Sequence, residues 1–208
     1  MNILYATHNK GKIEAMKRII RMHNLEVDLC TPNEIGFNED IIEDGKTFEE
    51  NSEIKARAIR EFCEKNGIGN RIIIADDAGM CVDALDGAPG VLSARYAGEN
   101  GTQEQILSKL LKNMEEYPNP EDRKCKFVCV LTAILPDGEK IVTRGECKGI
   151  LASEVKEYGG LTYTPVFIPN GFNKPMLELN DEEMLKVHNH RDLAMNEMIN
   201  IFKEKEIE

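Results

Sequence analysis

Two periods of apolar residues run through this chain. Asn2-Ile3-Leu4-Tyr5-Ala6 is a short apolar run that reads as a strand, and Ile13, Met16, Ile19 and Ile20 follow at helical spacing. Leu25 to Leu29 alternates and predicts a second strand, whereas Thr31 to Gly45 is acidic and irregular. Thr47 and Glu50 fit a capping box. The helix predicted from there to Asn66 carries Ile54, Ala58, Ile59 and Phe62, and Gly67 ends it. Ile72-Ile73-Ile74 is the β-branched run of a strand buried on both faces, predicted to end on Asp76 and Asp77. Thr102 and Gln105 fit another capping box ahead of Ile106, Leu107, Leu110, Leu111 and Met114. Cys125–Leu135 and Lys140–Cys147 predict a hairpin turning at Pro136-Asp137-Gly138. Gly149–Val155 and Val166–Ile168 read as further strands, with a loop over 159–165. Asn180 and Glu183 cap a short helix to Val187, and a last helix bears Leu193, Ala194, Met198, Ile199 and Phe202. Strands alternating with helices make this an α/β chain.

The chemistry concentrates between Arg71 and Gly98. Adjacent carboxylates repel, so Asp76 beside Asp77 at a strand end implies a cation or a proton there. Four glycines and Pro89 follow, and then Ser93-Ala94-Arg95-Tyr96, a cation between two hydroxyls. The combination points to a metal-bound phosphate ester; the plainer alternative is a strand cap and a polar turn. Thr7-His8-Asn9-Lys10-Gly11-Lys12 leads from a strand into a helix, where backbone N–H groups can meet an anion. The GxxxxGK[ST] pattern is absent, and an ordinary capped helix with solvated lysines is the competing reading. Glu50 is fully explained as a cap unless a metal partner stands elsewhere. His190 and Arg191 begin the last helix, where a cation opposes the macrodipole, so Arg191 is expected to serve a ligand.

Composition narrows the setting. The 208 residues suffice for one domain, or for one domain in two lobes. A formal net charge of −11 argues against a nucleic-acid polymer as partner but allows a nucleotide held by a local cluster of cations. No apolar run approaches the ~18 residues of a membrane span. MNILYATHNK lacks the basic start and apolar core of a signal peptide, so mature sequence is expected. The six cysteines form no CxxC and have no histidine at metal spacing; reduced cytoplasmic thiols are expected rather than a zinc site.

In this order the parts resemble the inosine triphosphate pyrophosphatase family, house-cleaning enzymes for non-canonical purine nucleoside triphosphates. The resemblance runs over nearly the whole chain. T-x-N-x-x-K appears as Thr7 to Lys12, and F-x-E-N as Phe48 to Asn51 with the family's helix lysine at Lys55. A-D-D-S-G appears as Ala75 to Gly79, and G-A-P-G-V-x-S-A-R-Y-x-G is intact from Gly87 to Gly98. S-H-R appears as Asn189-His190-Arg191, with the preceding lysine at Lys174. The departures are concentrated. G-F-G-Y-D-P reads Gly160-Leu161-Thr162-Tyr163-Thr164-Pro165, so the stacking aromatic is Leu161 and the base-contacting aspartate is Thr164. The serine beside the catalytic aspartate is Ala78.

The resemblance implies an elongated mixed β-sheet with flanking helices, one domain over 1–208 in two lobes around a central nucleotide cleft. It implies Mg²⁺-dependent cleavage of the α–β phosphoanhydride, giving a nucleoside monophosphate and pyrophosphate, in a cytoplasmic homodimer. Asp77 is then the general base, and Glu50, Asp76 and Asp77 hold the metal. Thr7, Asn9, Lys12 and Lys55 hold the phosphates, and Lys10, Ala78 and Arg95 are further substrate-binding residues. Lys174, His190 and Arg191 face the base, Leu161 and Thr164 stand at the family's base-contact positions, and Thr162 and Tyr163 are further substrate-binding residues. Arg191 can only donate, which favours the 6-oxo acceptor of inosine or xanthosine over the amino group of adenine. Two other readings stay open. The lost base contacts allow a Maf-like pyrophosphatase with a different base, and Ala78 allows a nucleotide-binding protein without turnover.

Overall fold

The computed structural model describes residues 1–207. Its strands are β1 (Asn2–Tyr5), β2 (Asp28–Cys30), β3 (Ile72–Val82), β4 (Lys124–Ile134), β5 (Lys140–Leu151) and β6 (Phe167–Pro169). Its helices are α1 (Lys10–Met22), α2 (Phe48–Lys65), α3 (Gln103–Asn113), α4 (Asp181–Met184) and α5 (His190–Glu204). The strands form one sheet in the order β2-β1-β3-β4-β5-β6. β1 is parallel to β2 and β3, and β5 is antiparallel to β6, so the mixed α/β sheet expected from the sequence is present. The capping boxes at Thr47, Thr102 and Asn180 all form. Among the described residues no helix is long and apolar enough to cross a membrane.

The residues divide into two compact units. The first holds Met1–Asp77, Cys129–Gly145 and Arg191–Glu208. Here strand alternation sorts the core. Leu4, Ile73 and Ala75 pack with Ala56, Ile59 and Cys63 of α2. One residue out of phase, Ile3 and Ile74 meet Met16 and Ile20 of α1 and Met195, Met198 and Ile199 of α5. Both faces of the sheet are therefore covered, which is why β1 and the start of β3 are continuous apolar runs. Fully buried side chains such as Leu4, Ile59 and Ile73 each contribute roughly 1.5–3 kcal/mol.

Three expectations change in this unit. The buried face of α2 is Ser52, Ala56, Ile59 and Cys63, while Ile54, Ala58 and Phe62 are only half-buried. Small residues let the helix approach the sheet closely enough for the Ser52 and Thr132 hydroxyls to meet at 2.7 Å. Phe62 instead packs edge-on against Phe37, their ring centres 5.2 Å apart. In α5 the buried stripe is Ala194, Met195, Met198, Ile199 and Phe202, and Leu193 is exposed. Finally, β3 does not stop at Asp76 and Asp77 but runs on to Val82.

The second unit holds Ala78–Val128 and Glu146–His190. Met80 and Val82 pack with Ile106, Leu107, Leu110 and Met114 of α3, together with Leu151, Tyr163, Val166 and Phe167. Arg123 is buried among them, and among the described residues no carboxylate pairs with it. Its guanidinium instead donates to the carbonyls of Met114, Tyr117, Leu151 and Ala152 at 2.8–3.1 Å. Gly149 permits the β5–β6 pairing, because a Cβ there would lie 2.2 Å from the Ile168 carbonyl. The strand predicted over Gly149–Val155 is not separate, since β5 absorbs its first residues.

Candidate active site

Because β3 continues through the acid pair, its side chains alternate, and Asp76 and Asp77 point to opposite faces. Asp76 follows Ile74 toward α1 and α5 and is 1% exposed. Tyr5 Oη donates to its Oδ1 at 2.9 Å. On Oδ2, Lys12 Nζ stands at 2.8 Å and Arg191 Nη2 at 3.4 Å. Burial alone would raise the Asp76 pKa; the Lys12 ammonium and Arg191 guanidinium overcome it and hold the carboxyl well below the ordinary range. Burial and the adjacent carboxylate push the Tyr5 phenol well up, so it remains a donor.

Asp77 follows Ala75 toward α2. Asn51 Nδ2 donates to its Oδ2 at 3.1 Å, and Lys55 Nζ lies 3.9 Å from Oδ1. The same ammonium is 2.5 Å from Glu43 Oε2. Lys55 thus faces two carboxylates, and Glu43 was not among the residues the sequence singled out. It sits in the irregular stretch before α2, where no periodicity marks it. Glu50, by contrast, accepts at Oε2 from the backbone N–H groups of Lys46 at 2.5 Å and Thr47 at 3.3 Å.

A cavity of about 240 Å³ is lined by Thr7, His8, Lys12, Glu43, Lys55 and Asp76, with Phe37, Glu39 and Asp40 on its wall. Thr7 is buried and its Oγ1 accepts from Asn9 N–H. Asn9 is the N-cap of α1, its Oδ1 accepting from the N–H groups of Gly11 and Lys12. That cap aims Lys12 back at the sheet. Lys10 is exposed on the first turn.

The possible metal donors around this cavity are carboxylate oxygens, the Thr7 hydroxyl and the His8 imidazole, with no thiol, a set dominated by hard oxygen that suits Mg²⁺, Ca²⁺ or Mn²⁺ better than a thiol-seeking metal. A cation already stands where such an ion would be held, since Lys55 Nζ faces both Glu43 and Asp77. These two carboxylates fit a divalent ion. The trio Glu50, Asp76 and Asp77 does not converge: among the described residues no three His, Cys, Asp or Glu side chains cluster as a metal site. The reason is geometric. Asp76 reaches the same cavity, but its oxygens are taken by Lys12, Arg191 and Tyr5, and Glu50 closes the cap of α2.

The remaining expected residues lie in the second unit. Ala78 is half-buried on β3, and Arg95 ends a 3₁₀ turn over Gly90–Arg95. Tyr163 is buried and its hydroxyl donates to the Ser93 carbonyl at 2.7 Å. Thr164 Oγ1 donates to the Leu161 carbonyl at 2.8 Å, whereas the Leu161 side chain is 72% exposed. The Thr162 carbonyl meets Gln103 Nε2 at 3.2 Å. Lys174 pairs with Glu183 at 2.7 Å. The His190 ring stacks on Phe127, centres 5.0 Å apart. Arg191, expected to face a base, is paired with Asp76 in the first unit.

A family model described as the Ham1 family matches residues 3–201. A dITP/XTP pyrophosphatase of Clostridium perfringens is 37% identical over 195 residues, covering 94% of each chain. One of Bacillus subtilis is 36% identical over 189 residues, 91% of each. Among solved structures, the Staphylococcus aureus Ham1 protein superposes with a TM-score of 0.83 at 34% identity, over 99% of this chain and 100% of that one.

Proposed function

Since the chain belongs to the Ham1 family, we propose that it hydrolyses non-canonical purine nucleoside triphosphates, inosine, deoxyinosine and xanthosine triphosphates, to the monophosphate and pyrophosphate. The observation that carries this reading is the division of labour on β3: one buried aspartate held by two cations, and beside it a second aspartate facing a lysine. The names of the relatives support the substrate class.

In this mechanism Asp77 takes a proton from the attacking water at a carboxylate oxygen. Asn51 fixes Oδ2 and so turns the other oxygen toward Lys55. The water oxygen bonds to the α-phosphorus, the bond to the bridging oxygen breaks, and pyrophosphate leaves with the electron pair. Lys12 and Lys55 bind phosphate oxygens, with Thr7 donating its hydroxyl and Asn9 its amide; phosphate displaces Glu43 from Lys55. Mg²⁺, held by Asp77 and by Glu43 in the place expected of Glu50, would supply charge neutralisation and a more acidic water. Asp76 keeps Lys12 and Arg191 in position. Leu161 to Thr164, Lys174 and His190 serve the base. The enzyme works as a homodimer on this reading.

The test is a panel of triphosphates with Mg²⁺, assayed for both products. Monophosphate and pyrophosphate should appear in equal amounts, fastest from inosine and xanthosine triphosphates. Release of orthophosphate with a diphosphate would place the cut at the wrong bond and overturn the proposal.

A further inference from the structure

The segment from Gly159 to Thr164 carries Leu161, a large aliphatic side chain held 72% exposed. An exposed leucine on a loose loop turns back onto apolar surface; this one is on a backbone that is tied down. Its C-terminal part is held by the Tyr163 hydroxyl on the Ser93 carbonyl and by the Leu177 N–H on the Thr164 carbonyl, and its N-terminal part by a side chain outside the segment. Gln103, the first residue of α3, accepts at Oε1 from the Gly159 N–H at 3.1 Å. Its Nε2 donates toward the carbonyls of Gly159 at 2.9 Å, Leu161 at 3.3 Å and Thr162 at 3.2 Å. Three carbonyls of one turn thus converge on one amide nitrogen, and the same amide closes the ring through its oxygen.

Two further contacts leave the turn little freedom. The Thr164 hydroxyl donates to the Leu161 carbonyl, so that oxygen receives both Thr164 and Gln103. Gly160 has φ of +60°, and a Cβ there would come within 2.6 Å of Thr164 Oγ1. The Thr102 cap, in turn, fixes the start of α3 and hence the root of the Gln103 side chain. Glutamine suits this position as no charged residue does. A glutamate would set a carboxylate against three carbonyls, and a lysine would leave the Gly159 N–H without its acceptor.

We infer that Gln103 is a positioning residue for base recognition, holding Leu161 out as an apolar shelf on which the purine rests. The inference depends on the proposed function, in which this segment serves the base. The Gln103 side chain spends its amide on the backbone of the 159–162 turn, so on this inference it acts on binding of the base and not on the chemical step. A preorganised shelf spares the substrate the ordering of the turn, and that saving appears in KM.

The experiment compares wild type with Gln103→Met, which keeps length and volume but makes none of the four contacts, and with Gln103→Glu. For Gln103→Met, KM for inosine triphosphate should rise about tenfold while kcat stays within about twofold, as expected for the loss of one to two net hydrogen bonds. Inhibition by pyrophosphate, which reports on the phosphate end alone, should be unchanged. Gln103→Glu should raise KM further. Leu161→Ala should also raise KM, and adding Gln103→Met to it should cost little more, because both act through the same shelf. An unchanged KM in Gln103→Met, or full additivity with Leu161→Ala, overturns the inference. So does an equal fall of kcat together with weaker pyrophosphate inhibition, which would mean a general loss of structure; thermal melts of each variant identify that case independently. If wild type itself hydrolyses no purine triphosphate, it is the proposed function that fails.

Discussion

The two faces of β3 around the acid pair and the 159–164 turn are both ordered, but by different forces. Around Asp76 and Asp77 the order comes from charge: Lys12 and Arg191 on one carboxylate, Lys55 and Asn51 on the other. In the turn it comes from backbone carbonyls gathered by one amide and by the Thr164 hydroxyl. Charge-assisted contacts are strong and tolerate small displacements; a carbonyl-gathered turn depends on shape and length. On the proposed function the first region would act on the polyanion and the second on the base. Substitutions should separate the two.

The largest effect belongs to the carboxylate face. Asp77→Asn keeps the shape and can still be approached by Asn51 or Lys55, but it cannot take a proton from water. Turnover of inosine triphosphate should fall by at least about 10³-fold with the melting temperature little changed. Near-normal turnover would remove Asp77 from the chemistry.

Arg191→Ala comes next. The guanidinium lies on Asp76, and removing it leaves Lys12 and Tyr5 on the oxygens of that buried carboxylate. A stability loss of about 1.5–3 kcal/mol is expected for one hydrogen bond to a charged group. kcat/KM should fall by a similar factor on inosine triphosphate and on ATP, leaving their ratio intact. A loss confined to inosine triphosphate would instead assign Arg191 to the base.

The same pairing sets an acid limit on stability. The folded pKa of Asp76 is depressed below the unfolded value of about 3.9. Its contribution is thus complete above that value and is lost as pH falls through it toward the lower folded pKa, where both states are protonated. Without added divalent cation, the melting temperature of wild type should fall more steeply between about pH 5 and pH 3 than that of Asp76→Asn. Parallel curves would mean that other carboxylates govern acid unfolding.

The smallest effect is in the turn. Leu161→Phe adds an aromatic surface at an exposed position and should lower KM for inosine triphosphate about two- to tenfold. Thr164→Asp should not add to it. At that site the Leu161 carbonyl lies 2.8 Å from the hydroxyl, and a carboxylate would meet it lone pair to lone pair. If the double variant exceeds Leu161→Phe alone, the turn is less constrained than its hydrogen bonds indicate.

Much of this was legible without coordinates. The helices of α2, α3 and α4 start at Thr47, Thr102 and Asn180 because capping is local, decided by residues three apart. The acids and lysines of the charged region declare themselves by type, and motif order pointed to the family. What the chain determined by itself was therefore the alternation of elements, their caps and the inventory of charges. Tertiary structure decided which face each charge would take. Asp76 and Asp77 are poor strand formers, yet β3 continues through them, and that continuation gives the two adjacent aspartates different partners, Lys12, Arg191 and Tyr5 for one and Asn51 and Lys55 for the other. Glu43 on Lys55, Tyr5 under Asp76 and Gln103 across 56 residues from Gly159 follow from the same cause. Their partners are distant in sequence, and no local period records a contact that only the packed sheet and helices create.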